Sequence, residues 1–114
     1  LLKRLIRRIR GRWKKVEIVF RADSHHTKAA VMDFLEANGV KYITGLSPNR
    51  VLEKQFEYAG EAAELKRQRS GEEKARSYAS GYYQASTWSK PRFVICRAEA
   101  SKYGVDMRFI VTNQ

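Results

Sequence analysis

The sequence predicts a mixed α/β chain, in which an α-β-α-β core is followed by an antiparallel β meander. Three observations lead to this fold class. Two helical patterns each precede a strand pattern, the connections between these elements are short, and three strand-like runs fill the last third of the chain. We therefore expect residues 1–56 to form a partial core. Residues 57–114 should form a charged helix or loop and an antiparallel β segment, packed with that core as one compact unit.

The first helix and the first strand are predicted within residues 1–23. In LLKRLIRRIRGRW the apolar residues recur at three- and four-residue steps while the cations fall elsewhere on the helical wheel, which indicates an amphipathic helix that ends near Gly11. Every second residue from Val16 to Ala22 in VEIVFRAD is apolar, and this is the period of a strand. A helix followed by a strand is thus the first αβ unit.

A second unit follows directly. TKAAVMDFLEANG carries a helical apolar stripe, with Thr27 as its expected N-cap and Asn38-Gly39 as its stop. VKYITGL is typical of a strand, and SPNRVLEKQ predicts a short helix with Ser47 as its cap and Pro48 at its first position. Connections this short predict two neighbouring parallel strands.

The composition changes after this unit. EYAGEAAELKRQRSGEEKARS is charged and rich in alanine, which predicts a helix followed by a polar loop around Ser70-Gly71. Three strand-like runs follow, namely YASGYYQASTW, RFVICRAEA and MRFIVTN. Their short connections, SKP and SKYGVD, suit hairpins and predict an antiparallel meander.

The charge is strongly positive. The chain has 23 Lys and Arg against 12 Asp and Glu, which gives a formal net charge of +11 at pH 7. Such a field favours a polyanionic partner, and nucleic acid is a commoner partner than an anionic membrane. No Walker, Rossmann or zinc-protease motif is present. No small-molecule substrate is expected among the partners.

Cysteine usage and hydropathy indicate where the protein works. Cys96 is the only cysteine, which excludes an internal disulfide and a zinc site made of thiolates, and this favours a reducing compartment. No apolar run is long enough for a membrane span, and LLKRLIRRIR is too charged for a secretion signal. We expect a cytoplasmic protein. Because the chain starts within a helical pattern and without a Met, we expect it to be part of a longer one.

Three candidate sites stand out before any resemblance is considered. Asp23 follows a strand, so it is either a helix cap or a ligand at the carboxyl end of a sheet, where ligands of open α/β sheets gather. His25 and His26 are adjacent, so their rings point apart, and a solvated loop is the simpler interpretation. Six cations within nine residues form either a solvated helix face or a phosphate-binding surface. These are Arg7, Arg8, Arg10, Arg12, Lys14 and Lys15.

Four aromatic residues lie in the strand-like runs of the last third. Tyr82, Tyr83, Trp88 and Phe93 could stack on nucleic-acid bases, as aromatic faces on strands can. Because alternate strand positions place about half of them inward, core packing is the default interpretation.

At VEIVFRADS the chain resembles the DDE-type transposases of bacterial insertion sequences, in the group with a large insertion in the catalytic domain. The segments VMDFLEANGVKYITGLSPNRVLEK, YQASTWSKPRFVICRAEA and RFIVTN are similar to that family in the family's order, so the resemblance spans nearly the whole chain. It implies that residues 1–56 are part of an RNase H-like core and that residues 57–114 correspond to the β-rich insertion. In related transposases this insertion helps to grip transposon ends. The chain departs from the family at His25 and His26, where a glycine and an aromatic residue are usual.

The resemblance also implies a catalytic site. Three acidic side chains hold two divalent metal ions in this family, Mg²⁺ or Mn²⁺, and Asp23 aligns with the second acid. The first acid would precede Leu1 and the final Glu would follow Gln114. Glu17, Asp33 and Glu36 are therefore not assigned as substitutes.

The sequence is therefore interpreted as the central part of a DNA transposase that cleaves and joins DNA, with Asp23 as a catalytic metal ligand and DNA as its partner. The piece alone is expected to be inactive. Candidate phosphate contacts are the N-terminal cations and, on the tail, Arg92, Arg97 and Arg108. Two alternatives stay open: a non-catalytic basic nucleic-acid-binding module, and a structural domain whose charge only keeps it soluble. Exposed strand edges could pair with a second copy, so a homo-oligomer is also retained among the expected partners.

Overall fold

The computed structural model of the protein describes residues 2–13, 17–23 and 28–114. The helices are α1 (Leu2–Arg12), α2 (Ala29–Ala37), α3 (Arg50–Gln55) and α4 (Glu57–Ser70). The strands are β1 (Val19–Ala22), β2 (Lys41–Leu46), β3 (Ala75–Tyr83), β4 (Arg92–Ser101) and β5 (Gly104–Thr112). The predicted α/β class, with an α-β-α-β start and an antiparallel meander at the end, is confirmed. None of the described helices is long and apolar enough to cross a membrane.

All five strands belong to one sheet with the order β1-β2-β5-β4-β3. The predicted parallel pair is β1 and β2, in which Ala22 lies beside Thr44. The predicted meander is β3-β4-β5, whose pairs are antiparallel. The sequence did not predict how the two parts join: β5 pairs antiparallel with β2, with Ile43 opposite Thr112. The meander therefore continues the sheet of the core.

The two faces of this sheet differ. Cross-strand neighbours share a face, so the register divides the side chains into two sets. On the inner face, β4 buries Val94, Cys96 and Ala98, and the helices α2, α3 and α4 pack there. Phe56, the single residue between α3 and α4, has its ring centroid 5.9 Å from that of Phe109 in β5. The alternate residues of β4 are only half-buried and belong to the outer face, which no described helix covers.

Helix α4 lies close to the sheet because its contact side is made of small residues. Ala59, Gly60 and Ala63 are its buried residues, and a Cβ added to Gly60 would lie 3.1 Å from Cγ1 of Val105. The helix ends at Gly71, whose φ of 72° is left-handed and favours glycine. The predicted polar loop around residues 70 and 71 is therefore confirmed as the end of this helix.

Helix α1 lies against α2 and the residues that follow it. Ile6 is its buried residue, and Arg10 donates hydrogen bonds to the carbonyl oxygens of Asn38 (3.3 Å) and Gly39 (2.8 Å), just after α2 ends. A cation at this place satisfies carbonyl groups that a helix end leaves unpaired. The predicted stop of α2 at Asn38-Gly39 is confirmed by the same contacts.

Several predicted boundaries were wrong. The cap of α3 is Asn49, whose side chain accepts from the Leu52 amide, and not Ser47. Strand β3 runs over Ala75–Tyr83 and does not reach Trp88, because Trp88 closes a turn by donating to the Ala85 carbonyl. The predicted hairpin between β4 and β5 is present, but its turn is tighter than the expected connection SKYGVD, because β4 continues to Ser101, which pairs with Gly104 at the start of β5.

The remaining predictions of local structure fall partly outside the described residues. Helix α2 begins at Ala29 with Lys28 as its N-cap, and the expected cap, Thr27, lies outside the described residues. The first residue of the predicted first strand, Val16, lies outside them as well.

Candidate functional site

Asp23 lies at the carboxyl end of β1, on the exposed side of the sheet. It directly follows Ala22, the last paired residue of the strand, so the register brings it beside Gly45 of β2. An open groove of about 350 Å³ runs along this end of the sheet. Its lining consists of Asp23, the residues from Gly45 to Pro48, and the residues from Asp106 to Phe109. The side chain expected to act as a ligand is therefore exposed in a groove that three strands form.

The groove contains two carboxylates, which is only part of a divalent-cation site. Asp23 and Asp106 both line it, and carboxylate oxygens are the ligands that Mg²⁺ prefers. The described residues contain no group of three or more Asp, Glu, His or Cys side chains that could hold a metal ion. These residues alone do not fit a centre of two metal ions, so no chemical step is derived through one.

The outer face beside this groove is rich in arginine. Arg97 of β4 lies directly opposite Arg108 of β5, and Tyr78 of β3 lies on the other side of Arg97. The Arg108 side chain is 73% exposed and reaches Asp106 at 3.4 Å. Nε of Arg97 is buried and has no hydrogen-bond partner among the described residues. Two of the three tail arginines expected to contact phosphate thus lie side by side on the outer face.

The third tail arginine, Arg92, points to the inner face and departs from that expectation. It is 3% exposed, donates to both carboxylate oxygens of Glu36 at 2.9 Å and to Asp33 at 2.7 Å, and lies over the ring of Trp88. Bidentate pairs of this kind are strong and fix geometry. The guanidinium of Arg92 therefore connects β4 to α2, and we do not carry it forward as a phosphate contact.

Glu36 is the centre of this buried network. Besides Arg92, the hydroxyl of Tyr42 donates to it at 2.6 Å and the ammonium of Lys90 lies at 3.2 Å. Burial raises the pKa of Glu36, but the hydrogen bonds from Arg92, Tyr42 and Lys90 outweigh burial and lower the pKa to about 2. Burial and the Glu36 carboxylate raise the pKa of Tyr42. Glu36 is therefore a charged structural group, in agreement with its not being assigned to the metal site.

The N-terminal cations divide into exposed and engaged groups. Arg7, Arg8 and Arg12 are exposed on α1. Arg10 is half-buried and bound to the end of α2, as described above. The other two expected phosphate contacts, Lys14 and Lys15, lie outside the described residues, as do His25 and His26.

The aromatic residues of the tail also divide between the two faces. Tyr82 is 70% exposed on the outer face and packs edge-on against Phe93, with ring centroids 5.6 Å apart. Trp88 is buried, and its ring lies edge-on to that of Tyr83 at 5.4 Å. The sequence pattern predicted such a division but not which ring faces which side.

Asn113 is a structural residue that the sequence reasoning missed. Its side chain accepts from the Tyr42 amide at 2.8 Å and donates to the Val40 carbonyl at 3.0 Å, so it continues the pairing of β2 and β5 beyond the last residue of β5. No motif could have identified it, because its partners lie 71 and 73 residues away in the sequence.

The comparisons with known proteins identify the family of the chain. A protein-family model described as "Transposase DDE domain group 1" matches residues 1–114, the whole of the chain. No curated protein and no solved structure gave a match.

Proposed function

Because the chain belongs to the family of group 1 transposase DDE domains, we propose that the protein cleaves and joins DNA at the ends of an insertion sequence by metal-dependent phosphoryl transfer. The observation that carries the proposal is the position of Asp23, an exposed carboxylate at the carboxyl end of a parallel strand and in an open groove. Ligands of open α/β sheets gather at this end of the strands.

Asp23 would supply one oxygen ligand to Mg²⁺ or Mn²⁺. Such ions orient the reacting groups and stabilise the leaving oxygen during phosphoryl transfer, and they require several hard oxygen ligands from separate elements. We propose that chain outside residues 1–114 supplies the other carboxylates. The 114 residues alone would then bind DNA without cutting it.

Two surfaces are proposed to bind the DNA backbone. One is the exposed side of α1, with Arg7, Arg8 and Arg12, and the other is the outer face of the sheet, with Arg97 and Arg108. Phosphate contacts of this kind set the position of the duplex without reading its sequence. The formal net charge of +11 supports a polyanionic partner for both.

The proposal is tested by replacing Asp23→Asn in the full-length protein as its gene encodes it. Cleavage of a duplex that carries the element's end, with Mg²⁺ or Mn²⁺, should fall by more than about 100-fold, because removing even an outer partner of a metal ligand costs about 10–100-fold. Binding to the same duplex should change little. Glu61→Gln is the matched control, since Glu61 is an exposed acid on α4 away from the groove.

Undiminished cleavage by the Asp23→Asn variant would remove the catalytic role. The alternative function, a non-catalytic basic nucleic-acid-binding module, would then account for the charge. It predicts that the unaltered full-length protein binds duplex DNA with a steep loss of affinity in added salt but never cuts it. An enzyme acting on chromosomal DNA of a bacterium would work in the cytoplasm, which we retain as its proposed location.

A further inference from the structure

We propose that Arg97 and Arg108 act together as one clamp that holds a single DNA phosphate beside the groove of Asp23. This inference rests on the proposed function and names the side chains that position the reacting strand. Both arginines would depend on the same phosphate, so the loss of one should reduce the contribution of the other to DNA binding.

The outer face of the sheet places two like charges side by side. Arg97 and Arg108 are directly opposed on neighbouring strands, and like charges in this arrangement destabilise a sheet. An anion bound between the two guanidinium groups removes that repulsion. A phosphate suits this place, since it offers several acceptor oxygens to two planar sets of N–H donors.

The neighbouring acids leave donors of both arginines available. Asp106 reaches Nε of Arg108 at 3.4 Å, which is a long contact for a charged pair, and Glu99 lies 3.7 Å from Arg76 on the other side. The side chain of Arg97 has no hydrogen bond or ion pair within the part of the chain that the structure describes, and because its Nε is buried, the terminal N–H groups of its guanidinium are the ones that can reach an anion. An arginine has five N–H donors, so the contact with Asp106 leaves most of those on Arg108 free to bind an anion.

The arginine pair lies close to Asp23. Arg108 lines the same groove as Asp23. Two strand spacings of about 4.8 Å and two residues of about 3.4 Å separate their backbones, which amounts to roughly 12 Å. The residue between Asp23 and β5 is Gly45, which has no side chain to obstruct the outer face.

This spacing suits one strand of DNA that passes over both positions. Successive phosphates advance about 3.4 Å along the axis of a duplex, so a phosphate held by the two arginines lies within a few nucleotides of one held at Asp23. The clamp would therefore fix which phosphodiester of the strand reaches the groove. Both arginines are positioning residues in this scheme, not catalytic ones.

The test compares Arg97→Gln, Arg108→Gln and the double variant with the unaltered full-length protein. The readout is the affinity for a duplex spanning the element's end, measured over a series of salt concentrations. Each single change should weaken binding about 10-fold, as expected for a hydrogen bond to a charged group, and the double change should weaken it by less than the product of the two. Arg69→Gln, which removes one exposed cation from α4 on the opposite side, is the control for net charge.

The salt dependence distinguishes one shared phosphate from two separate ones. If the pair binds one phosphate, the slope of log affinity against log salt falls by about 0.9 in the double variant, whereas two independent contacts would lower it by about 1.8. A fall near the larger value, or no fall, would overturn the clamp.

A second measurement changes the DNA as well as the protein. Duplexes that each carry one uncharged methylphosphonate, placed at successive positions near the cleavage point, are bound to the unaltered protein. One position should weaken binding, and the same position should have no further effect on the double variant. If two positions respond independently, or none does, the clamp is refuted.

The clamp and the proposed function can fail separately. If the arginine variants bind normally while Asp23→Asn abolishes cleavage, the clamp is wrong and the transposase function stands. If Asp23→Asn cleaves normally, the proposed function is wrong, whatever the arginine variants do.

Discussion

The charged network around Glu36 leads to the most quantitative prediction. Glu36 is held by Arg92, Tyr42 and Lys90 and its side chain is 16% exposed, so little solvent screens these contacts. Replacing Glu36→Gln keeps the shape of the side chain but removes its charge. We expect this change to lower the free energy of unfolding at pH 7.

The size of this loss of stability follows from the pKa of Glu36. Glutamate has an ordinary pKa of 4.5, and in the folded protein the pKa of Glu36 is about 2. This difference corresponds to about 3 kcal/mol of stability. Removing one partner of a buried ion pair costs a similar amount, about 3–5 kcal/mol. Asp33, which lies 2.7 Å from Arg92, is unchanged in the variant, so we expect a loss of stability at the lower end of this range.

The same pKa values determine how the contribution of Glu36 to stability changes with pH. Because folding lowers the pKa of Glu36, its contribution is fully present above the unfolded value of 4.5. It declines as the pH falls from 4.5 and is lost below the folded pKa of about 2. The difference in unfolding free energy between the unaltered chain and the Glu36→Gln variant should therefore be largest at pH 5 and above, and it should shrink towards pH 2.

The assay is urea unfolding of both proteins at a series of pH values, followed by circular dichroism. Glu17→Gln is the matched control. Glu17 pairs with Lys41 at 2.7 Å, but both side chains are about half-exposed or more, so this surface pair should contribute little at any pH. If the curves of the unaltered chain and of Glu36→Gln stay parallel from pH 7 to pH 2.5, the network does not stabilise the fold in the way described.

Two further substitutions test the contacts that hold the sheet and a helix end. Asn113→Ala should lower the unfolding free energy by about 2 kcal/mol in urea titrations, because it leaves the Tyr42 amide and the Val40 carbonyl without their partner. If this variant is as stable as the unaltered chain, Asn113 does not have that role. Gly71→Ala should lower the free energy of unfolding by about 1 kcal/mol, because the φ of 72° at Gly71 is left-handed. Gly11→Ala is the control and should cost nothing, since a Cβ added to Gly11 meets nothing within 4 Å. Equal melting temperatures for the two variants would refute this reasoning.

Periodicity predicted which elements form, because it is a local property of the chain. The alternation from Val16 to Ala22 and the stop at Asn38-Gly39 depend on neighbouring residues, and the corresponding strand and helix are present in the described residues. The hairpin between β4 and β5 was predicted, but the start of β5 was placed too late because Gly104 and Asp106 are frequent in loops, while pairing with β4 keeps them in a strand.

The roles of the charged residues could not be predicted in the same way. Arg92 and Arg97 are five positions apart in β4, so alternation places them on opposite faces. Only the register shows that Arg108 shares the face of Arg97, and only the packing of the helices shows that Arg92 lies on the inner face. Arg92 meets Glu36, which lies 56 residues earlier. Contacts over such separations leave no periodic signal, so a phosphate contact and a buried ion pair look the same in the sequence. Whether Asp23 binds a metal ion stays a prediction.

The antiparallel junction between β2 and β5 has a consequence for folding kinetics. The hairpins of the meander close short loops, whereas Tyr42 and Asn113 must meet across 71 residues, and the entropy lost in closing a loop grows with its length. We therefore expect the meander to assemble early and this junction to form late and open first. Asp23 lies on one side of it and Arg108 on the other, so a brief separation of the two strands would dismantle the groove while both halves kept their own secondary structure.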